Sequence, residues 1–250
     1  MSVLGNPRVH LRRTDSTNDR ARALARAGAP HGTLVTADQQ TAGRGRGGRR
    51  WSAPPGSSVL MSLLLRQPPS LLPLMAALAV CDVAGGQAGI KWPNDVVVVE
   101  DGPAGPVLAK LAGILTEGRP QEGWAVVGIG LNVAVRLEEL PPELRPGGAD
   151  GGLGRPAATL DLPATEVEPV LARLLRALEH RLHQDPDATL EAWRARDALL
   201  GREIAWSTGD DRLRGVAKGI DGDGRLIVEL SGGGRTTLGA GEVHLARTAG

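Results

Sequence analysis

Gln40-Thr41-Ala42-Gly43-Arg44-Gly45-Arg46-Gly47-Gly48-Arg49-Arg50-Trp51 sets four glycines against four arginines. The glycines free the backbone and the guanidinium forks match phosphate or carboxylate oxygens, so the segment suits an anion that it wraps or covers. A solvated, disordered loop is the competing reading, because a Gly/Arg run has no apolar surface of its own to pack. Gly43, Gly45 and Gly48 fit G-x-G-x-x-G, but Arg49 to Pro55 cannot open a helix cleanly and no acid lies between Asp38 and Asp82. The dinucleotide fingerprint therefore fails, and a Walker loop fails for want of Gly-Lys-Ser/Thr.

Outward from this loop lie four further segments with chemistry in them. Thr14-Asp15-Ser16-Thr17-Asn18 is a run of helix-capping residues before an Ala/Arg/Leu pattern over 19–27. Ile90-Lys91-Trp92-Pro93-Asn94-Asp95-Val96 is either a surface turn with a stacked Lys and Trp, or a place where Asn94 and Asp95 hold a bound group beside the arginine loop. Lys110 opens the apolar run Lys110 to Glu117, where a desolvated ammonium needs an anionic partner. Val127 to Asn132 carries Gly128 and Gly130 on one face of a strand, which leaves room for something to lie there or marks a bulge.

Composition bounds the rest. The 250 residues, 41% hydrophobic, can bury a full core, and 29 basic against 28 acidic residues give a net charge of +1. No broad field for nucleic acid or anionic membrane results, so any polyanion contact must be local, at residues 44–50. One cysteine, Cys81, cannot form an internal disulfide and suits a reducing, cytoplasmic setting. No signal peptide is visible, and Leu71 to Cys81 is too short to span a bilayer. Phe and Tyr are absent and Trp is the only aromatic, so the core is expected to be aliphatic. His180 and His183 are one helical turn apart without an evident third ligand, and no Ser/His/Asp set can be assembled.

The spacing predicts strands over 9–13, 33–37, 58–65, 96–99, 111–116 and 124–133, and helices over 19–27, 71–84, 167–183 and 188–200. Loops are expected over 101–106 and 141–156. Short strands separated by Gly/Asp turns follow from residue 202, and Asp221-Gly222-Asp223-Gly224 reads as a hairpin turn rather than a calcium loop.

In order along the chain, Asp15 to Asn18, Gln40 to Trp51, Lys91 to Asp95, Lys110 to Leu115 and Gly128 to Asn132 resemble biotin protein ligase, and the β-rich end from Leu200 resembles that family's C-terminal module. The resemblance implies an α+β fold: a mixed β-sheet with helices packed on it, of the class II aminoacyl-tRNA-synthetase-like type, over residues 1–199. A small SH3-like barrel over 200–250 would follow. It implies an ATP-dependent ligase that makes biotinyl-5′-AMP and passes biotin to a lysine of a carboxylase's biotin carboxyl carrier domain. Mg²⁺ would sit on the ATP phosphates, with no metal ligands of the protein's own.

By the same resemblance, Arg46 and Lys110 are the catalytic cations. Biotin would meet Ser16, Thr17, Asn18, Gln40, Gly43, Arg44, Gly45, Arg46 and Lys110 above a floor of Gly113, Gly128 and Gly130. Asn18 would also stand close to the nucleotide side. Arg49, Trp51, Lys91, Asn94, Asp95 and Asn132 would serve the nucleotide, with Trp51 covering the adenylate. Gly47 departs from relatives that carry a basic residue there, and no Phe or Tyr is available to stack on adenine. The short N-terminal stretch leads to the expectation of no helix-turn-helix domain and no DNA partner. A monomer or a homodimer is expected, with no membrane partner. A lipoate ligase or octanoyl transferase, sharing the fold but lacking Gly-Arg-Gly-Arg, is the alternative enzyme. A nucleic-acid-binding protein with an RGG-like clamp is the rival of another class, disfavoured by near-zero charge and few aromatics.

Overall fold

Helix boundaries follow local chemistry. The computed structural model describes residues 4–102, 105–140, 156–208, 211–239 and 243–245. After β1 (Arg8–Leu11), Ser16 caps α1 (Thr17–Arg26), its side chain accepting from the Asp19 N–H, so the helix begins two residues earlier than the apolar pattern predicts. β2 (Leu34–Ala37) and β3 (Ser58–Arg66) precede α2 (Leu72–Ala84), where the run Leu74 to Cys81 is buried without a polar stripe. Such a helix must be covered on nearly all sides. α3 (Val167–Leu182) lies against it, after β4 (Ala88–Lys91), β5 (Asp95–Gly102), β6 (Gly105–Arg119) and β7 (Trp124–Asn132). Asp185 caps α4 (Pro186–Arg194) by accepting the Ala188 N–H at 2.9 Å.

The first seven strands form one mixed sheet in the order β1-β2-β3-β7-β6-β5-β4, with β1 and β2 parallel and every other pair antiparallel. β7 inserts between β3 and β6, which brings Ser62 opposite Gly128 and Gly113 opposite Gly130. α2 and α3 cover one face over an aliphatic core that includes Leu63, Leu78, Ile90, Leu111, Ile114 and Leu174. α1 covers part of the other face, packing Ala21 and Ala25 on Val35, Leu64, Trp124 and Val126. The Gly/Arg loop lies over a further part of that face.

Three expectations change, one being that α4 ends at Arg194 rather than running on to residue 200. β4 is an additional strand, paired with β5 to make a hairpin of the Ile90 to Val96 segment, and β5 and β6 run into the stretch expected as a loop over 101–106. Most of the loop expected over 141–156 lies outside the described residues.

The C-terminal strands β8 (Glu203–Thr208), β9 (Asp211–Ile220), β10 (Leu226–Leu230), β11 (Arg235–Leu238) and β12 (Val243–Leu245) form an antiparallel sheet in the order β11-β10-β9-β8-β12. Asp221 to Gly224 is the expected hairpin turn: Asp221 Oδ1 accepts from the Asp223 and Arg225 N–H groups. Ile204, Trp206, Ile220 and Leu226 share the main core, and Trp92 Nε1 donates to the Gly224 carbonyl at 3.1 Å. No helix among the described residues is long and apolar enough to cross a membrane. Cys81 is buried within α2, and burial pushes its thiol up to about 12, which makes it an unreactive core thiol.

Candidate active site

The Gly/Arg segment is a closed hairpin. The Gly45 N–H donates to the Arg49 carbonyl at 2.8 Å, the Trp51 N–H to Gly43 at 3.0 Å, and Arg44 bridges Arg50 across the turn. Gly47 and Gly48 take φ of 62° and 76°, a left-handed bend that side chains disfavour. Gly43 is glycine for another reason: a Cβ there would collide with the Trp51 carbonyl. The hairpin roofs a cavity of about 230 Å³ over the sheet.

One end of the cavity is a polar relay. Gln40 Oε1 accepts from the Thr17 N–H at 2.7 Å and from the Thr17 hydroxyl at 3.0 Å. Ser62 Oγ lies 2.8 Å from Thr17 Oγ1 and 2.5 Å from Asn18 Oδ1. Asn18 Nδ2 donates to Glu117 at 2.9 Å and to the Leu115 carbonyl at 3.3 Å. Ser16, Thr17, Asn18 and Ser62 are buried, so these bonds compensate groups that water cannot reach.

The other end is cationic. Lys110 Nζ sits 2.7 Å from Asp95 Oδ1, supplying the anionic partner its burial requires, and 5.5 Å from the centroid of the Trp51 ring. A bulge puts it there. Lys110 partners Val97 while Ala112 partners Val96, so β6 gains one residue at Leu111. Ala112 and Ile114 face the helices, and regular alternation would send Lys110 with them. The extra residue turns Lys110 onto the cavity face with Gly113 and Leu115. Arg46 makes no ion pair within 4.0 Å among the described residues. Burial, followed by the like charge of Arg49, lowers its pKa, and Asp95 offsets this only in part. A loop cation in that state gains from an arriving anion.

The floor is glycine. A Cβ at Gly128 would strike Asn18 Oδ1, one at Gly130 would strike the Trp51 indole, and one at Gly113 would lie 3.0 Å from the same ring. Protein side chains therefore already lie on the bare face. Trp51 Nε1 is buried there with no partner among the described residues, an orphaned donor inside the cavity.

Of the residues expected at the site, Ser16, Thr17, Asn18 and Gln40 line the cavity at the polar end, and Arg44, Gly45, Arg46, Arg49 and Trp51 line it from the hairpin. Asn94, Lys110, Gly113, Gly128, Gly130 and Asn132 line it from the sheet. Gly43, Lys91 and Asp95 do not line it: Gly43 supports the hairpin, Lys91 ends β4 opposite Asp95, and Asp95 acts through Lys110. Arg44 is held at 2.8 Å by Asp19 and at 3.2 Å by Glu117; its bond to Asp19 raises its pKa. The sequence reading missed Ser62, Glu117 and the apolar wall of Leu140 and Ala157. Ser62 was discoverable as a polar residue within the otherwise apolar run Val59 to Leu65.

The Biotin/lipoate A/B protein ligase family matches residues 10–133 and the Biotin protein ligase C terminal domain matches residues 199–245. The biotin–[acetyl-CoA-carboxylase] ligase of Mycobacterium tuberculosis is 35% identical over 93% of this chain and 86% of its own length. The chain belongs to the biotin protein ligase family. The corresponding ligase of Paracoccus denitrificans is also 35% identical, over 93% of this chain and 98% of its own. The biotin protein ligase of Aquifex aeolicus in complex with biotin and ATP superimposes with a TM-score of 0.74 at 26% identity, covering 97% of this chain and all of that one. The mixed sheet with its helices is thus the biotin protein ligase fold, and the C-terminal antiparallel sheet is that family's C-terminal domain.

Proposed function

We propose that this biotin protein ligase joins biotin to ATP as biotinyl-5′-AMP, releasing pyrophosphate, and then transfers the biotinyl group to a lysine of a carboxylase's biotin carboxyl carrier domain, releasing AMP. The observation that carries this is a cavity whose hydrogen-bonding end and cationic end meet over a glycine floor, in a chain of this family.

The bicyclic head of biotin is uncharged, with a urea that donates two N–H bonds and accepts through its oxygen; the Ser16, Thr17, Asn18 and Gln40 end offers matching groups. The carboxylate at the other end then points toward Lys110 and Arg46. Attack on the α-phosphate brings two anions together, so neutralisation and alignment supply most of the catalysis. Lys110 would lie between the acyl oxygen and the phosphate, with Arg46 and Arg49 closing from the hairpin. Trp51, resting on Gly113 and Gly130, would move onto the adenylate or stay against the acyl chain.

Among the described residues no three acidic, His or Cys side chains form a metal cage. Asn94 lines the cavity while its Nδ2 donates to the Ile114 carbonyl, and the Asp95 carboxylate lies behind Lys110. Oxygen donors of this kind suit Mg²⁺ that arrives on the triphosphate, where it neutralises phosphate charge.

Residues 1–199 would form the catalytic unit and 200–250 an SH3-like barrel, a reading supported by the five antiparallel strands and the family match from residue 199. The buried Cys81 thiol fits a reducing cytoplasm. Biotin-dependent ATP–pyrophosphate exchange with the purified chain tests the first half-reaction without a carrier. Exchange that lipoate supports and biotin does not would overturn the proposal.

A further inference from the structure

Glu117 lies outside the cavity lining, yet it touches both parts of the site. Its Oε2 accepts from Asn18 Nδ2 at 2.9 Å, and its Oε1 receives Arg22 at 3.3 Å and the hairpin residue Arg44 at 3.2 Å. We propose that Glu117 is a positioning residue for the ligase reaction: its carboxylate fixes which way the Asn18 amide faces, and so decides that the ligand meets an acceptor rather than a donor above Gly128. This inference rests on the proposed biotin chemistry.

An ionised carboxylate can only accept, so the Asn18 atom facing Glu117 must be nitrogen. The Leu115 carbonyl, another pure acceptor, makes the same demand on that nitrogen. Asn18 Oδ1 therefore points to Ser62 and stands over Gly128. Ser62 has a single hydroxyl proton, and at 2.5 Å the acceptor-only Oδ1 claims it, leaving Ser62 Oγ as an acceptor toward Thr17. The Thr17 hydroxyl proton then lies between Ser62 Oγ at 2.8 Å and Gln40 Oε1 at 3.0 Å, since giving it to Gln40 alone would set the two hydroxyl oxygens lone pair against lone pair.

The charge on β6 thus sets the donor and acceptor order of side chains on α1, on β3 and in the loop that holds Gln40. The Gly/Arg hairpin is referenced to the same oxygens through Arg44. With Oδ1 as the acceptor in the pocket, a urea N–H is recognised and a ring oxygen in its place meets a lone pair. Glutamine at 117 keeps the shape but offers an N–H that can face Asn18 Oδ1, so only the longer bond to the Leu115 carbonyl still holds the amide in its orientation.

The test uses the full chain in pyrophosphate exchange with biotin and with the two cyclic carbamates in which one urea N–H is replaced by oxygen. The wild type is expected to reject one carbamate by about a hundredfold or more in kcat/KM, since that isomer leaves a buried acceptor unpaired. In Glu117→Gln this discrimination should fall at least tenfold and KM for biotin should rise about tenfold, with kcat and KM for ATP within about twofold. Arg44→Ala frees the hairpin but leaves the Asn18–Glu117 bond, so it should lower activity while keeping the discrimination. If Glu117→Gln does not fold, Glu117→Asp carries the test: its shortened carboxylate should lower the discrimination part-way. Unchanged discrimination in a folded Glu117 variant overturns the assignment while leaving the ligase reading intact. Wild-type protein with no biotin-dependent exchange overturns both.

Discussion

Lys110 Nζ lies 2.7 Å from Asp95 Oδ1 across two neighbouring strands, and it reaches the cavity only because β6 carries an extra residue at Leu111. The ammonium is held by a carboxylate that is 8% exposed, so it is placed before any ligand arrives. Pre-placed charge costs no reorganisation when the reaction begins, which is where electrostatic catalysis gains most.

Lys110→Ala is expected to lower biotin-dependent pyrophosphate exchange at least about a hundredfold. It also removes a charge-assisted bond from buried Asp95, at about 2 kcal/mol of stability. The double variant with Asp95→Asn should recover much of that stability in thermal melts and none of the exchange. Recovery of exchange would assign the role of Lys110 to structure alone.

Gly130→Ala puts a methyl group where the Trp51 indole now lies. The ring must leave the floor, and kcat/KM for biotin should fall about tenfold or more. Gly86→Ala is the matched control, with nothing within 4 Å of the added carbon and a φ outside the left-handed region. Its effect on stability should stay within about 0.5 kcal/mol.

Arg46→Gly removes a half-buried cation that pairs with no carboxylate within 4.0 Å among the described residues. The hairpin backbone bonds survive, because they run between Gly43, Gly45, Arg49 and Trp51. Adenylate should still form but be held less well, so activated biotin should escape and label bystander lysines. Labelling confined to the carrier domain, measured by mass spectrometry, would count against this.

Asp197 supplies a pH dependence of stability. Burial raises its carboxyl to about 6, against hydrogen bonds from the Leu199 and Leu200 N–H groups that pull the other way, and Oδ2 has no partner among the described residues. The raised value means that the folded state favours the neutral acid. Stability from this group is full below the unfolded value near 4, is lost as pH rises through about 6, and is absent above it. The cost at neutral pH is on the order of 3 kcal/mol. Asp197→Asn keeps an acceptor for Leu199 and removes the charge, so its melting temperature should exceed that of the wild type at pH 7.5 by several degrees and match it near pH 4. A difference that does not vary with pH would refute the assignment.

Most elements were legible because an apolar run or a turn signal marks each of them. β3, α2 and β7 appear where apolar runs or turn signals predict them, within a residue or two. β4 escaped notice since it is four residues long, contains Gly89 and leads into Pro93; only its pairing with β5 makes it a strand. The two loop cations show a similar split. Arg44 and Arg46 look equivalent in the sequence, yet Asp19 and Glu117 hold the first while the second is left for the cavity.

From residue order alone came the arginine hairpin's appetite for anions, the need of Lys110 for a counter-charge and the bare glycine face. Each is a local property of side-chain chemistry or of the two-residue repeat of a strand. The insertion of β7 between β3 and β6, the turn of Lys110 onto the cavity face and the meeting of Glu117 with Asn18 were decided by the folded chain. Those depend on strand order and on a one-residue change of register, and energies set by partners 15 to 99 residues apart leave no periodic trace along the sequence.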